Sequence, residues 1–459
     1  MARGTSARIW RLTHGATNSA PIRTSRAQVV ASVILSAALL LWPALWNGYP
    51  LVFSDSGTYL SQAVRHYIGW DRPVFYSLFL LPLHLTLTTW PVIIAQALLT
   101  AHTLHLVRRT LLPGVSAWWL VPLTSTLTIT TSLPWFVTQL VPDLFTGLLT
   151  LTMALLIFVP ERLSPRERIW LVAFTAFMIA THQSHVPLAL GLLLVLLPLR
   201  RKLGAAVPLG VAGIARAAAP VTFAILALVS INAVAFGRAS LSPFGNVFLL
   251  ARVIYDGPGQ DILRRDCPAA GWRLCAFADR MPSTTDDFLW QPDGPLAGAG
   301  GAKVVSTEAN AIIAAALWAE PVAELRAVLS NFLQQLSGFA SGDGLEAWPG
   351  TVTPWIERIF PPFEVALYAN SRQTNGKLAV PPWLKVLHGV VALGSVAGLV
   401  LPLCKRSAVR GFAAATVLAL LVNAAVTGGL SMPHDRYQSR IMWLPPLVLL
   451  LSLPRLRAA

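Results

Sequence analysis

Long runs of apolar residues dominate this sequence and limit what it can fold into. Two of them are "VVASVILSAALLLWPALW" and "LALGLLLVLLPL", and the chain is 55% hydrophobic and 12% charged, with a mean hydropathy of +0.61. About 20 apolar residues cross about 30 Å of hydrocarbon as an α-helix, which pairs all of its own backbone polar groups. The pattern predicts an all-α polytopic membrane protein.

The net charge of +15 could indicate a nucleic-acid-binding protein, but the distribution of the charge argues against that class. Just over half of the 35 lysines and arginines lie in short connectors between the apolar runs. Acidic residues are almost absent from these connectors. Enrichment of basic residues in cytoplasmic connectors is typical of membrane proteins, so the charge indicates topology and no nucleic-acid partner. The basic connectors are 1–27, 108–109, 162–168, 200–216, 405–410 and 455–457.

Keeping these connectors on the cytoplasmic side predicts about ten spans. They are expected near 28–50, 91–107, 117–134, 141–159, 168–182, 186–200, 217–236, 383–404, 409–429 and 440–454. The stretch 73–90 would place Arg108 and Arg109 outside if it spanned the membrane. We therefore expect an interfacial helix there, broken up by Pro73, Pro82 and Pro91, with eleven spans as the alternative.

Four regions follow from this topology. Residues 1–27 form a cytoplasmic tail, although their Arg/Ser/Thr-rich, acid-free composition also resembles a transit peptide. Residues 28–236 form an N-terminal membrane module with a first outer loop at 51–90, and 383–459 form a C-terminal membrane module. Between spans 7 and 8, residues 237–382 are predicted to form a mostly helical extracytoplasmic domain lying over the membrane. Both termini are expected in the cytoplasm, at a bacterial inner membrane.

Two cysteines lie close together in this outer domain, in "RRDCPAAGWRLCAF". Cys267 and Cys275 are expected to form a short-loop disulfide, because the predicted compartment is oxidising. A metal pair is the alternative, but no further cysteine or nearby histidine completes a zinc site. The sequence also contains no Walker loop and no G-x-G-x-x-G ahead of a helix, which argues against an ATP-driven pump.

The first outer loop contains an unusual polar stretch, "VFSDSGTYL", directly after the first span. Asp55 lies there, followed by Arg65, His66 and Arg72. An aspartate at this position could simply cap the helix that follows. The alternative is functional, because a carboxylate, two guanidiniums and an imidazole at the lipid boundary would meet the head group of an amphiphilic substrate.

The order "FSDSGTYL", "DRPVFYSL" and "RR" resembles integral-membrane glycosyltransferases of the GT-C type. This superfamily includes the protein O-mannosyltransferases and the lipid A aminoarabinose transferases. The resemblance implies a GT-C-like fold, and it identifies Asp55 with the acidic residue of the first outer loop in that family. Many relatives carry two adjacent acids at this point, where this chain has Asp-Ser.

Three later stretches extend the resemblance. In "VPDLFTGLLTLTMALLIF", Asp143 would lie at the outer surface, where it could cap a helix, orient the acceptor or bind a divalent cation beside Asp55. In "ATHQSHVPLALGLLL", His182 and His185 occupy a turn where relatives often have a basic residue; packed histidines are the structural alternative. The last stretch is "MPHDRYQSRIMWLPPLVLL", in which Arg436 and Tyr437 would bind the donor phosphate. Arg440 would either bind the phosphate as well or extend its side chain to the interface.

The resemblance implies an inverting glycosyltransferase that acts on the outer face of the membrane. Its donor would be a sugar on polyprenyl phosphate, and its acceptor a hydroxyl of a lipid, glycan or protein. Asp55 would act as general base, and Arg65, His66, Arg72, His182, His185, Arg436 and Tyr437 would bind the donor or its phosphate. No cofactor is required by this scheme. The alternatives are a ligase or polymerase of lipid-linked glycans, a lipid or glycan transporter, and a structural membrane subunit.

Overall fold

A computed structural model describes residues 25–405 and 407–456 of the chain. Within these residues every regular element is a helix, and the predicted tail 1–27 lies almost entirely outside them. The α-helices are Arg26–Leu40 (α1), Trp42–Asn47 (α2), Ser56–Val64 (α3), Phe75–His84 (α4), Trp90–Leu111 (α5), Leu120–Thr130 (α6), Leu133–Val137 (α7), Leu144–Phe158 (α8), Pro165–Ala180 (α9), His185–Leu199 (α10), Val211–Phe236 (α11), Gly245–Tyr255 (α12), Pro258–Asp266 (α13), Thr285–Trp290 (α14), Pro295–Gly298 (α15), Ala302–Ala319 (α16), Pro321–Ser337 (α17), Thr353–Ile359 (α18), Pro362–Ala369 (α19), Pro382–Gly398 (α20), Val400–Cys404 (α21), Ala408–Leu430 (α22), Asp435–Ser439 (α23) and Leu444–Leu456 (α24).

Five helical segments are long and apolar enough to cross a membrane, and they give the protein the character of a helical membrane protein. These candidate spans are Arg26–Asn47, Trp90–Leu111, Val211–Phe236, Pro382–Cys404 and Ala408–Leu430. The other five predicted spans correspond to shorter helices, because α8, α9, α10 and α24 have 13 to 16 residues and 117–134 divides into α6 and α7. At 1.5 Å per residue such helices reach about 20–24 Å, less than the usual hydrocarbon thickness.

The helix in the stretch 73–90 was predicted to break at its prolines, but it breaks elsewhere. Pro82 lies inside α4 and does not interrupt it, and Pro91 lies in the first turn of α5, where the missing N–H is tolerated. The chain turns instead at Leu85 and Thr86, which have φ angles of 46° and 54°. At ten residues, α4 reaches about 15 Å and is too short to cross a bilayer as a single helix.

The region predicted as one outer domain contributes to separate apolar cores. Residues 244–316 have a core of their own, built around Val247, Leu250, Ile262 and Phe288. Val352, Ile356 and other side chains of 352–368 belong instead to the large core of the membrane helices. The region is mostly helical, as predicted, and Cys267 and Cys275 are joined by a disulfide with sulfurs 2.10 Å apart.

A short backbone pairing brings two loops of the N-terminal module together. The Leu51 N–H donates to the carbonyl of Thr138 at 2.9 Å, and the Leu140 N–H donates to the carbonyl of Leu51 at 2.8 Å. The Ser56 hydroxyl also donates to the carbonyl of Leu140, at 3.0 Å. These bonds hold the residues before α3 against the residues before α8. The loop that contains Asp55 is thereby fastened to the loop that leads to Asp143.

Candidate functional site

Asp55 lies at the start of α3, but its carboxylate does not cap that helix. Both oxygens accept hydrogen bonds from Arg72, Oδ2 from Nε at 2.8 Å and Oδ1 from Nη2 at 2.9 Å. The two side chains are 14% and 18% exposed, so the pair lies at the edge of the protein interior. Two parallel N–H···O bonds fix the plane of the carboxylate, and the cap proposed as the structural alternative is therefore wrong.

Asp143 is fully buried at the start of α8 and binds two guanidiniums. Its Oδ1 accepts from Arg440 Nη1 at 2.7 Å, and its Oδ2 accepts from Nε and Nη2 of Arg436. Arg440 also donates from Nη2 to Ser184 Oγ at 3.1 Å and to Asn423 Oδ1 at 2.9 Å. Asp143 therefore does not reach interfacial water, and of the two alternatives for Arg440 the extension to the surface is wrong. Ion pairing makes the burial of both groups tolerable.

The two ion-paired groups belong to one charged cluster. The guanidinium carbon of Arg436 lies 3.4 Å from the centre of the Phe53 ring, two residues before Asp55. Burial lowers the pKa of Arg436, but the carboxylates of Asp143 and Asp55 outweigh it and hold that pKa above its ordinary value. Arg72 forms an ion pair with Asp55, and Arg436 and Arg440 both form ion pairs with Asp143. Two further acids lie at this cluster, Asp71 beside Arg72 and Asp343 at the backbone N–H of Arg436.

The two predicted histidines have different surroundings. His185 is buried and uses both ring nitrogens, with Nδ1 2.7 Å from the carbonyl of Met178 and Nε2 2.9 Å from Thr146 Oγ1. It is the packed histidine that the structural alternative described. His182 is partly exposed, and its Nδ1 accepts from the backbone N–H of Ser184. That bond leaves the proton on Nε2, so His182 is the histidine that can donate to a ligand.

Two of the predicted binding residues do not join the cluster. Arg65 and His66 are exposed at the end of α3, where Arg65 lies 5.3 Å from the ring centre of Trp355. Tyr437 does join it, with the guanidinium carbons of Arg440 and Arg436 at 5.4 Å and 5.7 Å from its ring centre. Its face therefore contacts cations, which a tyrosine ring attracts.

Two further residues of the cluster were not selected from the sequence. Tyr59 is completely buried, and its hydroxyl has no hydrogen-bond partner among the described residues. Burial raises its pKa well above the usual range, so the hydroxyl stays protonated beside Arg72 and Asp55. Asp71 precedes Arg72, and burial raises the pKa of its carboxyl. "FSDSGTYL" and "DRP" contain both residues, but nothing in those letters indicates burial.

The carboxylates that could have held a divalent cation bind arginines instead. Both oxygens of Asp55 and both oxygens of Asp143 accept from guanidiniums. Among residues 25–405 and 407–456, no group of three or more His, Cys, Asp or Glu side chains is arranged to hold a metal ion.

The charged cluster is a largely buried group of three arginines ion-paired with two aspartates, at the edge of a bundle of membrane helices. Comparison with protein-family models, curated proteins and solved structures gives no match to this chain. The cluster itself must therefore carry the functional argument.

Proposed function

We propose that this protein is a membrane glycosyltransferase that uses a sugar carried on polyprenyl phosphate. The observation that carries the proposal is the meeting of Asp55, Arg72, Asp143, Arg436 and Arg440 in one cluster, although they come from three distant parts of the sequence. Such a cluster offers one carboxylate at the protein's edge and three guanidiniums close to it. Transfer from a phosphate carrier needs both a proton acceptor and cations for the leaving group.

Each step of the proposed reaction is assigned to residues of the cluster. The acceptor hydroxyl gives its proton to the Asp55 carboxylate, and the acceptor oxygen attacks the anomeric carbon from the side opposite the phosphate. The bond from that carbon to the phosphate oxygen breaks, and the phosphate leaves with the electron pair, so the anomeric configuration inverts. Arg436 and Arg440 stabilise the negative charge on the phosphate, and Arg72 keeps the Asp55 carboxylate in one orientation.

The finer topology is part of the same proposal. About ten membrane passes would be made if the short helices α6 to α10 and α24 cross a locally thinner or protein-lined part of the membrane. Both termini would be cytoplasmic, and 237–382 would lie on the outer face of a bacterial inner membrane. The cluster would then face the side where polyprenyl-linked sugars, and no nucleotide sugars, are the expected donors.

Replacing Asp55 with Asn tests the role of the carboxylate. The amide keeps the size of the side chain but cannot accept the proton, so sugar transfer should fall by about 10²- to 10⁴-fold. The assay uses membranes containing the protein and a panel of radiolabelled polyprenyl-phosphate sugars. Asp261→Asn is the matched control, because Asp261 is an exposed acid of α13 that pairs only with the neighbouring Arg264.

Wild-type turnover by a normally folded Asp55→Asn protein would rule out Asp55 as the base. It would favour the alternative of a glycan ligase, in which the arginines alone serve the phosphate. Loss of folding in this variant would indicate that the Asp55–Arg72 pair is mainly structural. Thermal unfolding of the purified variant in detergent separates these outcomes.

A further inference from the structure

Helix α17 has an unusual arrangement of side chains around its axis. Its protein-facing side is polar: Glu324, Asn331 and Gln335 are buried. Glu324 is paired with the buried Arg252 at 2.9 Å, and Asn331 donates to both carboxylate oxygens of Asp256. Polar groups that would normally face water thus find partners inside the protein, through Glu324 Oε2 and the Asn331 amide. Apolar side chains lie outside instead.

The outward side of α17 divides into two parallel stripes. One stripe is apolar, with exposed fractions between 52% and 70% for Val322, Leu325, Leu329 and Leu333. The other is polar and consists of Arg326, Ser330, Gln334 and Ser337. Spacings of three and four residues keep each stripe on one face of the helix. A helix with one apolar and one polar edge fits the boundary between acyl chains and water.

The position of α17 relative to a candidate span places it at that boundary. Its backbone lies against the C-terminal end of α22, where a Cβ on Gly428 would come within 2.6 Å of the carbonyl oxygen of Asn331. Gly429 lies beside Val328, and the next residue of α22, Leu430, is 52% exposed. The helix that carries the apolar stripe thus packs against the C-terminal end of a candidate membrane span. Trp318, 85% exposed just before α17, is a residue type favoured at membrane interfaces.

We infer that α17 lies in the outer leaflet of the membrane, with the stripe Val322–Leu325–Leu329–Leu333 in contact with lipid acyl chains. The occupant of this apolar surface is lipid, because α17 packs on the end of a candidate span and its exposed apolar stripe is bordered by a polar stripe. The inference does not depend on the proposed enzymatic activity, but the choice of the outer leaflet rests on the proposed topology.

Contact between α17 and lipid would also position part of the charged cluster. Gln335 forms two bonds with the backbone of His434, donating to its carbonyl at 2.8 Å and accepting from its N–H at 3.0 Å. The chain continues from α17 to Asp343, whose carboxylate accepts from the backbone N–H of Arg436 at 2.9 Å. The depth of α17 in the membrane therefore fixes the segment that carries Arg436 and Arg440.

Neighbouring cysteines on the two stripes test the inference. Leu329→Cys and Ser330→Cys are made in a Cys404→Ser protein, with Leu325→Cys as a second apolar position, and each is reconstituted in phosphatidylcholine vesicles without reductant. A membrane-impermeant maleimide should label Ser330→Cys several times faster than either leucine position, since the thiol must be ionised and in water to react. A bimane attached in detergent at position 329 should be quenched by phosphatidylcholine with brominated acyl chains, and one at position 330 should not.

Three results would overturn the inference. Equal labelling at 329 and 330, with no quenching at 329, would place the stripe in water. Slow labelling at 329 and 325 without quenching by brominated lipid would mean that protein covers the stripe, such as a second copy of this chain. Equal quenching at 329 and 330 would place the whole helix within the bilayer and contradict the boundary position.

Discussion

At the scale of single residues, the most demanding feature is the burial of three charged groups at one point. Asp143 and Arg440 have no exposed surface and Arg436 has little. Removing one partner of such a group leaves an unpaired buried charge, which typically costs about 3–5 kcal/mol. Any loss of activity on replacing these residues must therefore be separated from a loss of folding.

Tyr59 and Tyr76 provide a comparison in which stability and binding can be separated. They pack edge to face at 5.0 Å and both are fully buried, but only Tyr76 forms a hydrogen bond, donating to Gln96 at 2.7 Å. Tyr76→Phe should lower the free energy of unfolding by about 1–3 kcal/mol, because it leaves the Gln96 oxygen unpaired. Tyr59→Phe should leave stability equal or higher, since its hydroxyl has no partner to lose.

Equilibrium or thermal unfolding of the two variants in detergent checks this prediction. A clear destabilisation by Tyr59→Phe would mean that its hydroxyl has a partner in the folded protein, such as a bound water. Weaker binding of polyprenyl phosphate by Tyr59→Phe at unchanged stability would add this hydroxyl to the ligand contacts.

At the scale of helices, close contact depends on glycines at particular positions. Gly147 lies under the indole of Trp443, where a Cβ would come within 2.5 Å of ring atoms, and Gly428 lies under the backbone of α17. Small residues at such points let membrane helices approach closely. Neither glycine has a left-handed backbone conformation, so glycine is needed at these two positions only because a larger side chain has no room.

Gly428→Ala and Gly389→Ala form a matched pair of substitutions in candidate spans. Alanine is the better helix former by about 1 kcal/mol, so Gly389→Ala should be neutral or stabilising, because a Cβ there meets no atom within 4 Å. At Gly428 the new methyl would push α17 away and should cost about 1–3 kcal/mol. Thermal unfolding compares the two. An equal gain in stability from both substitutions would contradict the close packing of α17 on α22.

At the scale of the whole molecule, the arrangement joins membrane helices from both ends of the chain. The large apolar core contains side chains from α1 to α11 and from α20 to α24, together with 352–368. The separate core of 244–316 and its disulfide belong to the region proposed to lie outside the membrane. The charged cluster lies where the first loop, the loop before α8 and the segment before α24 meet.

The proposed topology predicts which thiols a membrane-impermeant reagent can reach in intact cells. Cys404 is exposed and is the last residue of the candidate span Pro382–Cys404, next to the basic connector 405–410, so it should be labelled only after the membrane is made permeable. Ser283→Cys, in an exposed loop of the outer region, should be labelled in intact cells. Labelling of Cys404 but not of Ser283→Cys in intact cells would reverse the topology.

The apolar runs were sufficient to predict an all-helical chain with membrane spans. Ser25 with Gln28, and Ser164 with Glu167, form capping boxes that begin α1 and α9 near the predicted positions. The disulfide followed from spacing and compartment. Each of these features is formed by residues that are near each other in sequence, so the interactions that cause it can be read from the sequence.

Only the tertiary structure decided which polar residues meet and which are buried. Asp55 has a capping sequence, but Arg72 competes successfully for its carboxylate, and Arg440 could have extended to the interface but pairs with Asp143, 297 residues away. Arg65 and His66 are near Asp55 in sequence, yet α3 directs them away from the cluster. The outward apolar stripe of α17 likewise depends on its packing against α22. Burial and pairing arise from contacts between distant segments, and hydropathy and motif spacing do not encode those contacts.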